Sequence, residues 1–333
     1  MHELNRLERW EHLFSAPPST LVTLQSYEFS AKQIKFYLKC DHQLHPFISG
    51  NKWRKLKYIL HHAIENKFDT IVSFGGAYSN YLHALSAACA ELDLHLIALV
   101  RGEETKPLNP CLQFIHNKQH DLVYLSRNEY IKRYDADYIQ GVKQQYPQAL
   151  LVPEGGFHEL ALKGMQQCVA ELQQQLGDWD YFCLALGSGG TTAGVISASV
   201  PGDVWAFAAL KQADYLQIQI NKLLSEQGLA NRSFYKLFSQ YARGGFAKID
   251  AELVQFCIQF YRDHGILLDP IYTGKAMMGL FDRIAQGDIA NASRVVFYHS
   301  GGLQAWFGYL QRQQLQAEHA KQISAILMTL SKG

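Results

Sequence analysis

Ser49-Gly50-Asn51-Lys52-Trp53-Arg54-Lys55-Leu56 sets a small, turn-forming pair directly ahead of a lysine, and the residues after it decide how the chain is read. Leu56, Ile59, Leu60, Ala63 and Ile64 recur at three- and four-residue steps, which makes one apolar face of a helix. Lys52 therefore falls in a first helical turn. The positive end of the helix macrodipole favours anions there, so a lysine at that place asks for a reason. One reason is an amine meant to be neutral and nucleophilic, as a Schiff-base lysine must be. The alternative is a solvated lysine beside Arg54 and Lys55.

Downstream, Thr70-Ile71-Val72-Ser73-Phe74 is a short apolar run closed by Gly75-Gly76, the pattern of a buried parallel strand, and an apolar-faced helix is predicted over 81–92. Between them, Gly75-Gly76-Ala77-Tyr78-Ser79-Asn80 exposes backbone N–H groups and a capping residue, where a carboxylate or phosphate is held favourably. An ordinary N-cap is the other reading. Strands over 95–100, 121–125 and 149–152 alternate with helices over 110–118 and 129–145, giving four strand-helix units and a small parallel sheet. Pro153-Glu154-Gly155-Gly156 interrupts the alternation, and a long helix succeeds it through Leu160, Met165, Val169, Leu172 and Leu176. The return from one domain to the other is placed here, with 51–159 as the small domain and 1–50 plus 160–333 as the large one.

Tyr181-Phe182-Cys183-Leu184-Ala185-Leu186 is the most apolar strand and runs straight into Gly187-Ser188-Gly189-Gly190-Thr191-Thr192-Ala193-Gly194. Its glycines let the backbone approach a ligand, while Ser188, Thr191 and Thr192 add hydroxyls beside helix-terminal N–H groups. There is no Walker A lysine and no G-x-G-x-x-G spacing, so a nucleotide is not the first guess; a phosphate site is one reading and a capped tight turn the other. Next come a strand over 204–210, a helix over 216–229, an irregular aromatic stretch over 231–249 and a helix over 251–264. Ile266 to Met277 is a polar elbow into another helix. Arg294-Val295-Val296-Phe297-Tyr298 is a last buried strand, ending in a third glycine turn, His299-Ser300-Gly301-Gly302. At the start, a helix around Leu4, Leu7, Trp10, Leu13 and Phe14 stops at Pro17-Pro18; strands over 21–24 and 34–39 then flank a polar link at 30–33, as a hairpin would. The tail over 313–330 reads as a helix. The aromatic stretch from Phe234 to Phe246 reads as core or as an interface.

The chain has 333 residues, 48% hydrophobic and 18% charged, enough for two domains. A formal charge of +1 gives no global field to recruit nucleic acid or anionic lipid. No run approaches a membrane span of about 18 apolar residues, and Met1-His2-Glu3-Leu4-Asn5-Arg6 lacks the order of a secretion signal, so a cytoplasmic protein is expected. The six cysteines include no C-x-x-C pair and read as core thiols, and no histidine cluster has metal-ligand spacing, so no metal is expected.

In open parallel sheets ligands gather outside the carboxyl ends of strands. Three glycine turns at such ends, plus a lysine at a helix start, converge on one cofactor if a phosphate lies in a turn and an aldehyde on the lysine; pyridoxal phosphate meets both demands. The chain resembles the tryptophan-synthase-β-like group of pyridoxal-phosphate enzymes, fold type II, and within it the 1-aminocyclopropane-1-carboxylate deaminase / D-cysteine desulfhydrase branch. The anchors are GNKWRKL from Gly50, SFGGAYSN from Ser73, GSGGTTAG from Gly187, LDPIYTGKAM from Leu268 and HSGG from His299, in family order along nearly the whole chain. The fold implied is α/β, with two domains, each a mostly parallel sheet flanked by helices.

The resemblance further implies that Lys52 is the Schiff-base lysine and moves the proton at the substrate carbon. Asn80 is expected at the cofactor ring oxygen and beside the substrate, Ser79 at the substrate carboxylate or the reacting group, and Gly187, Ser188, Gly189, Gly190, Thr191 and Thr192 around the phosphate. Tyr272 is expected to face the substrate or cofactor, Ser300 the pyridine nitrogen, Thr273 the cofactor, and Tyr78 and Gly301 the substrate. A hydroxyl at the ring nitrogen leaves the pyridine largely unprotonated, which favours elimination over long-lived carbanions. Two positions depart from the branch. Thr273 stands where the ring-opening enzymes carry glutamate, toward the desulfhydrase pattern, and Tyr78 where both activities usually carry glutamine. The expected activity is a D-cysteine desulfhydrase-like α,β-elimination releasing a 2-oxo acid and ammonia, in a homodimer. The alternatives are 1-aminocyclopropane-1-carboxylate deaminase and a pyridoxal-phosphate-binding protein without catalysis.

Overall fold

The computed structural model describes residues 4–229 and 235–330. Met1, His2, Glu3 and Phe234 lie outside them. From the N-terminus come α1 (Arg6–Leu13), β1 (Leu21–Leu24), α2 (Tyr27–Ala31), β2 (Lys35–Lys39) and the lysine-bearing α3 (Asn51–Glu65). Next are β3 (Thr70–Gly76), α4 (Asn80–Glu91), β4 (His95–Arg101), α5 (Pro110–Asn117), β5 (Asp121–Leu125), α6 (Arg127–Ile131), α7 (Ala136–Gln145) and β6 (Ala149–Val152). The remainder holds α8 (Glu159–Leu176), β7 (Tyr181–Leu186), α9 (Gly190–Ile196), β8 (Asp203–Ala208), α10 (Asp214–Glu226), β9 (Tyr235–Phe238), α11 (Ala251–His264), α12 (Thr273–Gln286), β10 (Arg294–Tyr298), α13 (Gln304–Gln311) and α14 (Ala317–Leu330).

Two sheets result. One is four-stranded and wholly parallel, in the order β5-β4-β3-β6; the other is six-stranded, β1-β2-β10-β7-β8-β9, parallel apart from β1. This is the α/β architecture expected. The larger sheet is covered on both faces, by a cluster that includes Phe36, Leu280 and Phe297 and another that includes Met165, Leu184 and Ile220, which is why its central strands read as unbroken apolar runs. The smaller sheet packs α3 and α4 through Leu56, Ile59, Leu60, Leu82 and Leu85. Leu13 and Phe14 of α1 join that core, so the start of the chain packs on the smaller sheet and not, as expected, with the larger one.

Several local expectations are corrected. The β1–β2 link contains α2, started by the Ser26 side chain accepting from Phe29 N–H. The helix expected over 129–145 is broken at Asp135, whose carboxylate caps α7 by accepting from the Asp137 and Tyr138 N–H groups. The stretch expected to be irregular contains β9, paired with β8; Tyr235 and Phe238 are buried there, while Phe246 is 45% exposed. The tail helix begins at Ala317. Among the described residues no helix is long and apolar enough to cross a membrane, and no group of three or more His, Cys, Asp or Glu is placed to hold a metal.

What fixes α3 is a buried ionic network. Arg54 donates Nε and Nη2 to the two oxygens of Asp41 at 2.9 and 3.0 Å, and Nη1 and Nη2 to Glu171 of α8 at 2.8 and 2.9 Å. Tyr298 at the end of β10 donates to Asp41 at 2.7 Å, and Lys39 at the end of β2 reaches Glu171, Ser19 O and Gln175. Burial pushes Asp41 up, but Arg54, Ser19 and Tyr298 override it and hold the carboxyl below its usual range. The backbones of α3 and α8 are in close approach, since a Cβ on Gly164 would come within 1.9 Å of Arg54 O. Removing one member leaves its partners buried and unpaired, so Arg54→Met should lower the unfolding free energy in urea by about 3–5 kcal/mol; a loss below about 1 kcal/mol would contradict this account of the network.

Candidate active site

The carboxyl ends of β3, β6, β7 and β10 carry Gly75-Gly76, Pro153–Gly156, Gly187–Thr192 and His299–Gly302, and the start of α3 meets three of these turns. Gly50 caps α3 at φ +67°, a conformation L side chains rarely adopt, and a Cβ there would lie 1.9 Å from Ser300 O. Asn51 N–H donates to the same oxygen at 3.2 Å. The Asn51 side chain donates from Nδ2 to Thr191 Oγ1 at 2.7 Å, joining the lysine helix to the glycine turn after β7. Lys55, one turn on, donates to Gly155 O. Ser188 packs on Gly155, where a Cβ would come within 2.5 Å of its Oγ.

Lys52 is half-buried overall, with its amine enclosed; burial pulls the amine down to about 8 against the attraction of Asp269. Lys55 is buried, and burial together with the charge of Lys52 brings it to about 7. Two histidines in contact face the same space, their rings tilted by 37° with centroids 4.1 Å apart: burial pulls His42 down to about 4 and His299 well below its usual value. They stay neutral, so Asp269 is the anion that Lys52 feels. Burial pushes the Asp269 carboxyl above its usual range, against hydrogen bonds from Thr273, Tyr272 and Ile271.

Ser79 caps α4, its Oγ accepting from Leu82 N–H at 3.1 Å, which leaves its proton to donate. Asn80 Oδ1 accepts from Gln304 N–H at 3.3 Å, and the side chain presses on Gly302, where a Cβ would meet Nδ2 at 2.5 Å. The Tyr272 ring lies over Gly187, where a Cβ would come within 2.9 Å of it, and Phe246 meets that ring edge-on at 6.1 Å between centroids. Gly301 lies against Ser49, and Ser300 is buried beside Gly50.

Two expected site residues sit differently. Thr273 is buried and committed locally: its hydroxyl donates to Asp269 Oδ2 at 2.8 Å and accepts from Asp269 N–H at 2.9 Å, so it braces the elbow rather than offering its proton to a cofactor. Tyr78 packs on Gly308 of α13 and donates to Gln311 Oε1 at 3.0 Å, with the Arg312 guanidinium 4.9 Å from its ring. Conversely, Asn51, Lys55, Asp269 and the Gly155-Gly156 turn belong to this cluster without having been singled out as site residues. The signal for the turn was a fourth glycine pair at a strand end; for Lys55 it was the i, i+3 spacing from Lys52, which puts both on one face.

A pyridoxal phosphate fits these residues. The Thr192 hydroxyl is buried without a hydrogen-bond partner, as is Asn51 Oδ1, and neither Lys52 nor Lys55 has a carboxylate within ion-pair distance among the described residues. A buried orphan hydroxyl and two enclosed amines call for a compact anion. Thr191, Thr192, Ser188, Asn51 and Lys55 are the residues that would hold the phosphate, and Lys52 the carbonyl carbon.

Comparison with known proteins agrees. Residues 16–301 match the model of the family described as pyridoxal-phosphate dependent enzyme. A relative from Pyrococcus horikoshii, provisionally named a 1-aminocyclopropane-1-carboxylate deaminase, is 28% identical over 283 residues, covering 82% of this chain and 86% of its own. A crystal structure of an ACC deaminase homologue superposes with a TM-score of 0.75 at 24% identity, covering 92% of this chain and 98% of that one. A fungal L-serine ammonia-lyase from Rhizomucor miehei gives a TM-score of 0.60 at 16% identity, covering 86% and 94%. These two structures share the fold. The chain belongs to the pyridoxal-phosphate-dependent enzymes of fold type II, and pyridoxal phosphate is its cofactor.

Proposed function

We propose that the chain is an amino-acid lyase and deaminase that eliminates a β-substituent, with D-cysteine as the substrate that fits best. The observation that carries the reading is the 2.7 Å bond from Asn51, next to Lys52, to Thr191, with the orphan Thr192 hydroxyl beside it: amine and anion cradle lie within one small molecule's reach. Bound there, pyridoxal phosphate supplies an aldehyde for covalent capture of amines and a ring that draws electron density from the substrate α-carbon. Lys52, neutral above about pH 8, takes the α-proton. Ser79 donates to the substrate carboxylate. Burial pushes the Tyr272 phenol well above its usual value, so it stays protonated and donates at the substrate side. The α-C–H and β-C–S bonds break, hydrosulfide leaves with the electron pair, and water converts the released enamine to pyruvate and ammonia.

Thr273 supports elimination over ring opening. In the ring-opening enzymes that the chain resembles, the position holds glutamate; a second carboxylate here would sit against buried Asp269. The second reading, deamination of 1-aminocyclopropane-1-carboxylate, is favoured by the name of the Pyrococcus relative. D-cysteine should give sulfide and pyruvate in a stopped assay, and 2-oxobutyrate from 1-aminocyclopropane-1-carboxylate without sulfide from D-cysteine would establish the second reading instead.

Purified protein should be yellow, and Lys52→Ala should bleach it. Because burial lowers the Lys52 pKa to about 8, the neutral amine forms above that value, so colour development after adding pyridoxal phosphate to apoenzyme should accelerate with rising pH and level off above about 8. A rate that falls over that range would contradict the assignment. Ser79→Ala removes a helix cap worth about 1 kcal/mol yet should keep the colour while kcat/KM drops about 10–100-fold. Unchanged turnover would rule out its role.

A further inference from the structure

β4 ends on Arg101, whose Cα pairs with Gly76 of β3, so it stands at the same carboxyl edge as the Tyr78-Ser79-Asn80 turn. Its guanidinium lies 4.0 Å from where a Cβ on Gly76 would be and 5.7 Å from the Tyr130 ring centroid. Its charge also reaches the Tyr272 phenol of the larger sheet's half, pulling it down against burial, Asp269 and Glu154. The nearby carboxylate is already taken. Glu154 accepts from the Tyr130 hydroxyl at 2.6 Å, Arg133 Nε at 2.6 Å and the Tyr134 hydroxyl at 3.1 Å. Arg101 is exposed and, among the described residues, has no carboxylate partner.

We propose that Arg101 binds an anionic group on the substrate's side chain, so that the site selects amino acids whose β- or γ-substituent is an anion or departs as one. Adjacent strands stand about 4.8 Å apart, so an amino acid held at Ser79 is within reach of an arginine side chain on the neighbouring strand end. The planar guanidinium pairs with carboxylate or sulfinate through two parallel hydrogen bonds, and its charge stabilises a leaving thiolate. The inference rests on the reading that an amino acid lies between Ser79 and Tyr272.

The test uses holoenzyme and a pair of probes alike in shape and different in charge, aspartate and asparagine, each as D and L forms, with dissociation constants measured by calorimetry for wild type, Arg101→Gln and Arg101→Lys. Aspartate should bind about tenfold tighter than asparagine. That preference should vanish in Arg101→Gln with asparagine unchanged, and survive in part in Arg101→Lys. An equal weakening of both amino acids in Arg101→Gln would assign Arg101 to the α-carboxylate and overturn the proposal, as would an aspartate preference that persists. Failure of all four amino acids to bind wild type would defeat the amino-acid reading, and this proposal with it.

Discussion

The hydrogen bond from Asn51 Nδ2 to Thr191 Oγ1 joins a helix that packs on the smaller sheet to a turn at the end of the larger sheet's β7. α3 is anchored on both sides of that bond. Arg54, three residues on, is locked by Asp41 and Glu171, and Gly50, one residue back, lies directly on the Ser300 carbonyl. The site is thus built where three strand ends converge on one helix start, and its precision comes from buried ionic and backbone contacts a turn away from Lys52.

That placement creates a charge problem which is itself informative. Lys52 and Lys55 are enclosed three residues apart, at the positive end of a helix, with two neutral histidines and one carboxylate, Asp269, in their surroundings. Desolvation lowers both amines toward neutrality, and the charge of Lys52 lowers Lys55 further, which makes a nucleophile of whichever faces a carbonyl. A phosphate held by Thr191 and Thr192 would offset the positive charge of the two lysines. Asp269 keeps a counter-charge on the Lys52 side, where the α-proton is to be carried. The same elbow aims Tyr272, because Asp269 accepts from the N–H groups of Ile271, Tyr272 and Thr273 at once.

Much of this was legible in the sequence because it was local. Buried parallel strands read as apolar runs, so β3, β7 and β10 were found with their glycine turns, and α3 was fixed by the period of Leu56, Ile59, Leu60 and Ala63. What was missed depended on contacts between distant segments. β9 is four residues long and holds its shape by pairing with β8, with no periodicity of its own. The bond from the Thr273 hydroxyl to Asp269 and the seat of the Tyr78 ring on Gly308 were likewise not legible, the first because it depends on the shape of the elbow and the second because it joins distant segments. Asp269 carries no local signal beyond turn-forming Asp-Pro, and its importance comes from lying beside Lys52.

Lys52, and not its equally enclosed neighbour Lys55, is the lysine proposed to carry the cofactor. Burial leaves Lys52 at about 8, and burial with the repulsion of Lys52 leaves Lys55 at about 7, so amine acidity alone would favour Lys55; geometry, with Lys55 donating to Gly155 O, favours Lys52. Reducing the holoenzyme with borohydride and mapping the phosphopyridoxyl group by peptide mass spectrometry decides it. The account predicts the label on Lys52, and a label on Lys55 or any other lysine would contradict it.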